Sequence, residues 1–187
     1  MKIVDAPLSG LKIIEPAVFS DGRGYFFESY NAIKLFNQGI ECVFVQDNES
    51  FSSFGVIRGL HYQLSPNAQA KLVRVISGKV YDVAVDIRKG SPTFGHWYGI
   101  ELSSENKLQL FIPQGFAHGF SVLSESAVFT YKCDGYYKKE AERAIRFDDP
   151  DLAINWQIPE NKILVSEKDL QASPFNAAEM NFNFQTP

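Results

Sequence analysis

The chain has 187 residues, 45% of them hydrophobic and 21% charged, with a formal net charge of −4 at pH 7. That length suits one domain with a sizeable core, and an acidic balance with no basic run or tail argues against nucleic acid or an anionic membrane as a partner. An acidic chain can still hold an anionic ligand through a few local arginines, because only the local field matters.

The N-terminal "MKIVDAPLSGLKIIEPAVFS" lacks the apolar stretch of a signal peptide, and no segment approaches the ~20 apolar residues of a membrane span. Cys42 and Cys133 lie far apart and form no CxxC pair, so no disulfide framework is expected. A reduced, cytoplasmic protein is the expectation.

Short β-like runs broken by turns recur in chain order. "LKII", "YFFESY", "CVFVQDN" and "VIRGLHYQ" come first. "AKLVRVIS" and "KVYDVAVDI" follow, and the "SGK" at Gly78 between them reads as a hairpin. "HWYGIEL", "KLQLFI", "GFSVL" and "AVFTYKC" complete the set. Turn chemistry separates them in "SDGRG", "KGSPTFG", "SSEN" and "IPQG". Many strands at this spacing predict an antiparallel sandwich or barrel. Helical signal is sparse: Asn31 caps a short helix through Gln38 that Gly39 stops, and "KKEAERA" reads as a second. From about Asp148 the apolar pattern weakens, and the segment 148–187 is expected to pack on the β body.

Alternation in "KVYDVAVDI" puts Tyr81, Val83, Val85 and Ile87 on one face, expected to be core. Val80, Asp82, Ala84 and Asp86 fall on the other. The two aspartates there read as structural, hydrogen-bonded acids.

The polar residues set among apolar ones carry the functional signal. Arg58 and His61 interrupt the strand "VIRGLHYQL". Strict parity sends them to opposite faces, and they converge only if the strand bulges at Gly59. Lys71 shares parity with Val73 and Val75, so it points inward and needs an anionic partner or an anionic intermediate. Tyr131 shares parity with Phe129, so its ring is buried and its hydroxyl needs a partner. His118 follows a proline–glycine turn in "IPQGFAHGF", and His96 takes no role. A metal site is not expected, because Tyr62 and Gln63 replace the second histidine of a His-x-His pair and too few ligands cluster.

At this point the sequence resembles the dTDP-4-dehydrorhamnose 3,5-epimerase family. The resemblance is carried by "SDGRGYFFESY", "VQDNES", "GVIRGLHYQ", "KLVRVISGKVYDVAVDIRKGSPTFG", "IPQGFAHGF", "YKCDGYY", "RFDDPDLAI" and "SEKD". They stand in family order from about residue 3 to 175. It implies an all-β fold, a double-stranded β-helix or jelly-roll (cupin) sandwich with a few short helices, formed by residues 1–187. It implies a homodimer with a shared active site and no cofactor. The implied reaction converts dTDP-4-dehydro-6-deoxy-D-glucose into dTDP-4-dehydro-L-rhamnose.

The resemblance also implies site roles. His61 is the base, with Asp169 behind it, Lys71 beside the developing C4 oxyanion, and Tyr131 the acid. Arg58 and Arg23 would grip the diphosphate, and the segment with Arg23 and Glu28 would reach the partner subunit's site. Gln46 and Asn48 would contact nucleotide or sugar, Tyr137 would stack on thymine, and His118, Glu142 and Lys168 would line the substrate site. Rival readings are a single-site epimerase or 3,4-ketoisomerase on a related sugar, a metal-dependent cupin, and a non-catalytic sugar-binding sandwich.

Overall fold

The computed structural model describes residues 1–185. The last two residues of the expected C-terminal segment therefore lie outside the described residues. Thirteen strands are formed among the described residues. They are β1 (Lys2–Asp5), β2 (Lys12–Glu15), β3 (Val18–Asp21), β4 (Gly24–Phe27), β5 (Gln46–Ser53), β6 (Ile57–Gln63), β7 (Lys71–Ser77), β8 (Lys79–Asp86), β9 (Trp97–Ser103), β10 (Gln109–Ile112), β11 (Phe116–Val122), β12 (Ser126–Cys133) and β13 (Glu142–Ala144). One sheet runs β1-β2-β10-β7-β12-β5 and the other β13-β6-β11-β8-β9, while β3 and β4 form a separate hairpin. All these strand pairs are antiparallel. This is the jelly-roll (cupin) sandwich.

Three apolar clusters hold it. Val73, Val75, Val80, Ala84, Leu110, Phe120 and Phe129 meet between the two sheets. A second cluster coats the outside of the five-stranded sheet, where Val83, Val85 and Ile87 pack against Leu152, Trp156, Met180 and Phe182 of the C-terminal segment. The third seats Leu35 of helix α1 (Ala32–Phe36) on Ile14, Leu72 and Phe111 of the six-stranded sheet. Asn31 caps α1 by accepting a hydrogen bond from the Lys34 amide, as its side chain suits it to do.

Several expectations change. On β8 the face of Val83, Val85 and Ile87 is buried core as expected, but it packs under the C-terminal segment and not between the two sheets. Val80 and Ala84, on the same face as the aspartates, point into the space between the sheets. Both faces are buried, so alternation alone could not say which was interior.

Gly78 is not the turn of a hairpin. β7 pairs with β10 and β12, whereas β8 pairs with β11 and β9. The chain changes sheets at Gly78, whose φ is +80°, and a Cβ there would fall within 2.0 Å of the Ser126 carbonyl oxygen. Only glycine fits such a corner. "KKEAERA" forms a 3₁₀ turn (Lys139–Ala141) followed by β13. β13 pairs with β6, where Glu142 lies opposite Gln63 and Ala144 opposite His61. Pairing with an open sheet edge outweighs a helix propensity worth only tenths of a kcal/mol per residue. No helix among the described residues is long and apolar enough to cross a membrane.

Candidate active site

β6 supplies the first group. Its register against β11 sets His61 opposite His118 and Arg58 opposite Phe120, so three steps on one strand match two on the other. This is the bulge that parity demanded, and it falls at Gly59. Gly59 and Gly119 cross closely, since a Cβ on Gly59 would lie 2.5 Å from the Gly119 Cα. The extra residue brings Arg58 and His61 to the same side, where both border a cavity of about 390 Å³ with Ser166, Lys168 and Asp169. His61 also borders a second cavity, of about 260 Å³, with Gln46, Asn48, Tyr62, Gln63, Gln69, Lys71, Tyr131, Tyr137 and Glu142.

His61 Nε2 stands 2.6 Å from Asp169 Oδ1. Asp169 lies in the short helix α2 (Glu167–Leu170), whose N-cap Ser166 accepts from the Asp169 amide. Burial works to raise the Asp169 carboxyl, but the hydrogen bond from His61 and weaker ones from the Gly59 backbone and Ser166 outweigh it and hold its pKa low. The carboxylate therefore stays ionised behind the ring and leaves Nδ1 as the nitrogen open to a proton. The His61 side chain is 31% exposed and that of Asp169 only 5%. The pair is thus anchored on one side and open on the other.

The opposite wall comes from the six-stranded sheet. Lys71 opens β7 and pairs in register with Cys133, and Tyr131 on β12 pairs with Val73. Lys71 Nζ lies 5.8 Å from the centre of the Tyr131 ring. Among the described residues the ammonium makes no ion pair or hydrogen bond with a side chain. Burial lowers the Lys71 pKa, and the neighbouring Cys133, Asp82 and Glu142 offset part of that. Burial raises the Tyr131 phenol, Cys133 and Glu142 add to the effect, and Arg58 opposes it. Burial also pushes the Cys133 thiol up to about 11, so it is neutral beside Lys71. The Tyr131 hydroxyl has no hydrogen-bond partner among the described residues, although burial had suggested one.

The remaining candidates divide. Arg58 is tethered through Nε to Ser52 Oγ at 3.0 Å and through an η nitrogen to the Phe51 carbonyl at 3.4 Å, which leaves other guanidinium N–H groups to point elsewhere. Gln46 Nε2 donates to Asn48 Oδ1 at 3.0 Å. The Tyr137 hydroxyl donates to Glu142 Oε2 at 2.8 Å, and Lys168 Nζ lies 2.7 Å from the same oxygen. His118 borders neither cavity; it is buried, with Nε2 2.9 Å from Asp82 Oδ2. Burial depresses its pKa more than Asp82 raises it.

Arg23 and Glu28 are not at this site within one chain. Arg23 sits on the β3–β4 hairpin, paired with Asp21 at 2.6 Å, and Glu28 pairs with Lys34 at 2.8 Å.

Sequence reasoning gave no role to Gln63 and Gln69, which border the same cavity. Gln63 was visible two positions beyond His61, on the same face of the strand, yet nothing in its type marked it. Among the described residues, no three His, Cys, Asp or Glu side chains are grouped so that they could hold a metal ion. A larger cavity of about 590 Å³ near Lys12, Glu41, Cys42 and Asp134 contains none of the predicted residues.

Fold and site together define a cupin-type sandwich with a cluster of ionisable side chains lining a cavity between its two sheets. Residues 5–177 match the family model described as dTDP-4-dehydrorhamnose 3,5-epimerase, and the chain belongs to that family. A Shigella flexneri protein named dTDP-4-dehydrorhamnose 3,5-epimerase is 51% identical over 181 residues, spanning 96% of this chain and 98% of that one. The solved dTDP-6-deoxy-D-glucose-3,5-epimerase of Legionella pneumophila, in complex with dTDP-4-keto-L-rhamnose, is 50% identical and covers 99% of each chain with a TM-score of 0.95. At greater distance, a 3′-monoepimerase from Streptomyces bikiniensis bound to dTDP-quinovose is 32% identical, covers 90% of this chain and 85% of its own, and has a TM-score of 0.83.

Proposed function

We propose that the protein inverts C3 and C5 of dTDP-4-dehydro-6-deoxy-D-glucose to give dTDP-4-dehydro-L-rhamnose. One observation carries the reading. His61 approaches the cavity from the five-stranded sheet, and Lys71 and Tyr131 approach it from the six-stranded sheet. Inversion at carbon needs a base on one face and an acid on the other, and a sugar ring between the sheets would meet both.

C3 and C5 each flank the C4 ketone, so a proton can leave either carbon as charge moves onto the ketone oxygen. His61 takes that proton. Asp169 fixes its tautomer and stabilises the imidazolium that forms. Lys71 faces the enolate oxygen, where fixed charge in a dry site has its largest effect. Tyr131, kept protonated by burial, returns a proton from the opposite wall. His61 then carries an extra proton and Tyr131 lacks one, and exchange with water resets both. Arg58 grips the diphosphate, Tyr137 stacks on the thymine, and Gln46, Asn48, Glu142 and Lys168 complete the substrate site, while His118 supports it from the buried layer beside His61.

The reading extends to a homodimer that shares its sites, in the cytoplasm. Phe19, Tyr25 and Phe26 on the hairpin are 67%, 59% and 71% exposed, and Phe51 on the edge strand β5 is 68% exposed. Apolar surface of this kind marks an interface. A partner covering it would also bring Arg23 and Glu28 to a site that they do not reach in their own chain. Two free thiols suit a reducing compartment.

Incubation with dTDP-4-dehydro-6-deoxy-D-glucose and NMR analysis of the product tests the activity. The L-rhamno product supports it. Inversion at C3 alone would replace it with the second reading, a 3′-monoepimerase, the activity named for the Streptomyces bikiniensis relative.

A further inference from the structure

Tyr136 and Tyr137 form the tip of an irregular segment, residues 134–138, that follows β12, and their side chains leave them 66% and 50% exposed. A tip with no strand partner is ordinarily mobile. Here glutamine side chains hold its main chain at consecutive residues. Gln69 Nε2 donates to the Gly135 carbonyl at 2.6 Å. Gln63 Nε2 donates to the Tyr136 carbonyl at 3.4 Å, and its Oε1 accepts from the Lys138 amide at 2.6 Å. Gln46 Oε1 accepts from the Tyr137 amide at 3.0 Å.

Gln63 is the centre of this clamp. It is 4% exposed, and its Nε2 also donates to the Asn67 carbonyl at 2.7 Å, tying in a second loop. A carboxylate or ammonium would bring an unpaired charge into that buried position, whereas an amide presents donor and acceptor together without charge. It also stands two residues from His61 on the same side of β6, a spacing of about 6.6 Å along a strand.

We propose that Gln63, assisted by Gln46 and Gln69, is a positioning residue for nucleotide binding: it sets the Tyr137 ring at a fixed distance from His61 before substrate arrives. The proposal rests on the reading of Tyr137 as the stacking residue. A platform ordered in advance spares the binding step the entropy of ordering it. The clamp thus sets affinity for the nucleotide and leaves the chemical step alone.

Calorimetric titration with dTDP and steady-state kinetics on wild type, Gln63→Met, Tyr137→Ala and the double variant test this. Gln63→Met keeps the side-chain length and loses both donor and acceptor. It is expected to weaken dTDP binding and raise KM about tenfold, with kcat changed less than about twofold. The double variant is expected to bind dTDP no more weakly than Tyr137→Ala alone, because the two act through one ring.

Wild-type affinity in Gln63→Met beside weakened affinity in Tyr137→Ala would overturn the clamp and leave the stacking reading standing. Unchanged affinity in Tyr137→Ala overturns both, and a fall in kcat at constant KM overturns the clamp. Should Gln63→Met not fold, Gln69→Met decides, since it removes only the Gly135 bond. It is expected to weaken dTDP about threefold, and unchanged affinity there overturns the clamp.

Discussion

Two histidine–aspartate pairs lie side by side in this sandwich, on facing positions of β6 and β11. His61 with Asp169 and His118 with Asp82 have similar nitrogen–oxygen distances, 2.6 and 2.9 Å. Their settings differ. The His61 side chain is 31% exposed and borders two cavities, with only its carboxylate buried. The His118 side chain is 7% exposed and its Asp82 side chain 0%, and its ring stacks near Phe129 at 6.1 Å between centroids. The same two residue types thus make one pair open to a reactant and one sealed from it. Both rings lie on the same face of the sheet, so what separates them is how completely each is covered by its neighbours, not the chemistry of imidazole and carboxylate.

Removing each pair's histidine breaks the comparison most sharply. His61→Ala is expected to lower kcat by about 10³-fold or more, at the upper part of the range for a lost general base, with dTDP affinity retained in calorimetry. Lys71→Met comes next. The loss of one preorganised charge beside the oxyanion should lower kcat about 10²- to 10³-fold, measured in the same assay, with KM little changed.

The sealed pair should answer to pH instead. Burial holds the His118 pKa below its ordinary value near 6.5, so the unfolded chain binds a proton that the folded chain refuses. Stability is therefore fully present above the ordinary value and falls as pH drops below it. Denaturant melts between pH 7.5 and 5 should show this slope, and His118→Asn should flatten it. The low Asp169 pKa acts further down: its contribution is present above the ordinary carboxylate value near 3.8 and is lost as pH falls through the lower folded value. The smallest effect should come from the exposed pair Lys2–Glu15, with side chains 69% and 43% exposed. Glu15→Gln should shift stability by less than about 1 kcal/mol in the same melts.

The sequence made the open pair legible for specific reasons. Parity pointed Lys71 inward, and a conflict of parity between Arg58 and His61 required a bulge at Gly59; both follow from the two-residue period of a strand. The partner Asp169 lies 108 residues from His61, and only family resemblance bridged that gap, because no local pattern reports a contact of that range. The sealed pair was half legible. Asp82 reads as structural from sequence, but alternation marks only the Val83 and Val85 face as core, whereas both faces of β8 are buried. Gly78 was misread because a lone glycine between two strands serves a hairpin or a change of sheet equally well. Gln63 stayed unseen because the groups it holds, the Tyr136 carbonyl and the Lys138 amide, are main-chain atoms that every sequence possesses.

The most direct test of His61 as the open pair's base is hydrogen exchange in D₂O, followed by NMR at C3 and C5 of the bound keto-sugar. The account predicts deuterium at both carbons with the wild-type protein and at neither with His61→Ala, while that variant still binds dTDP. Wild-type rates of label uptake in His61→Ala would contradict it.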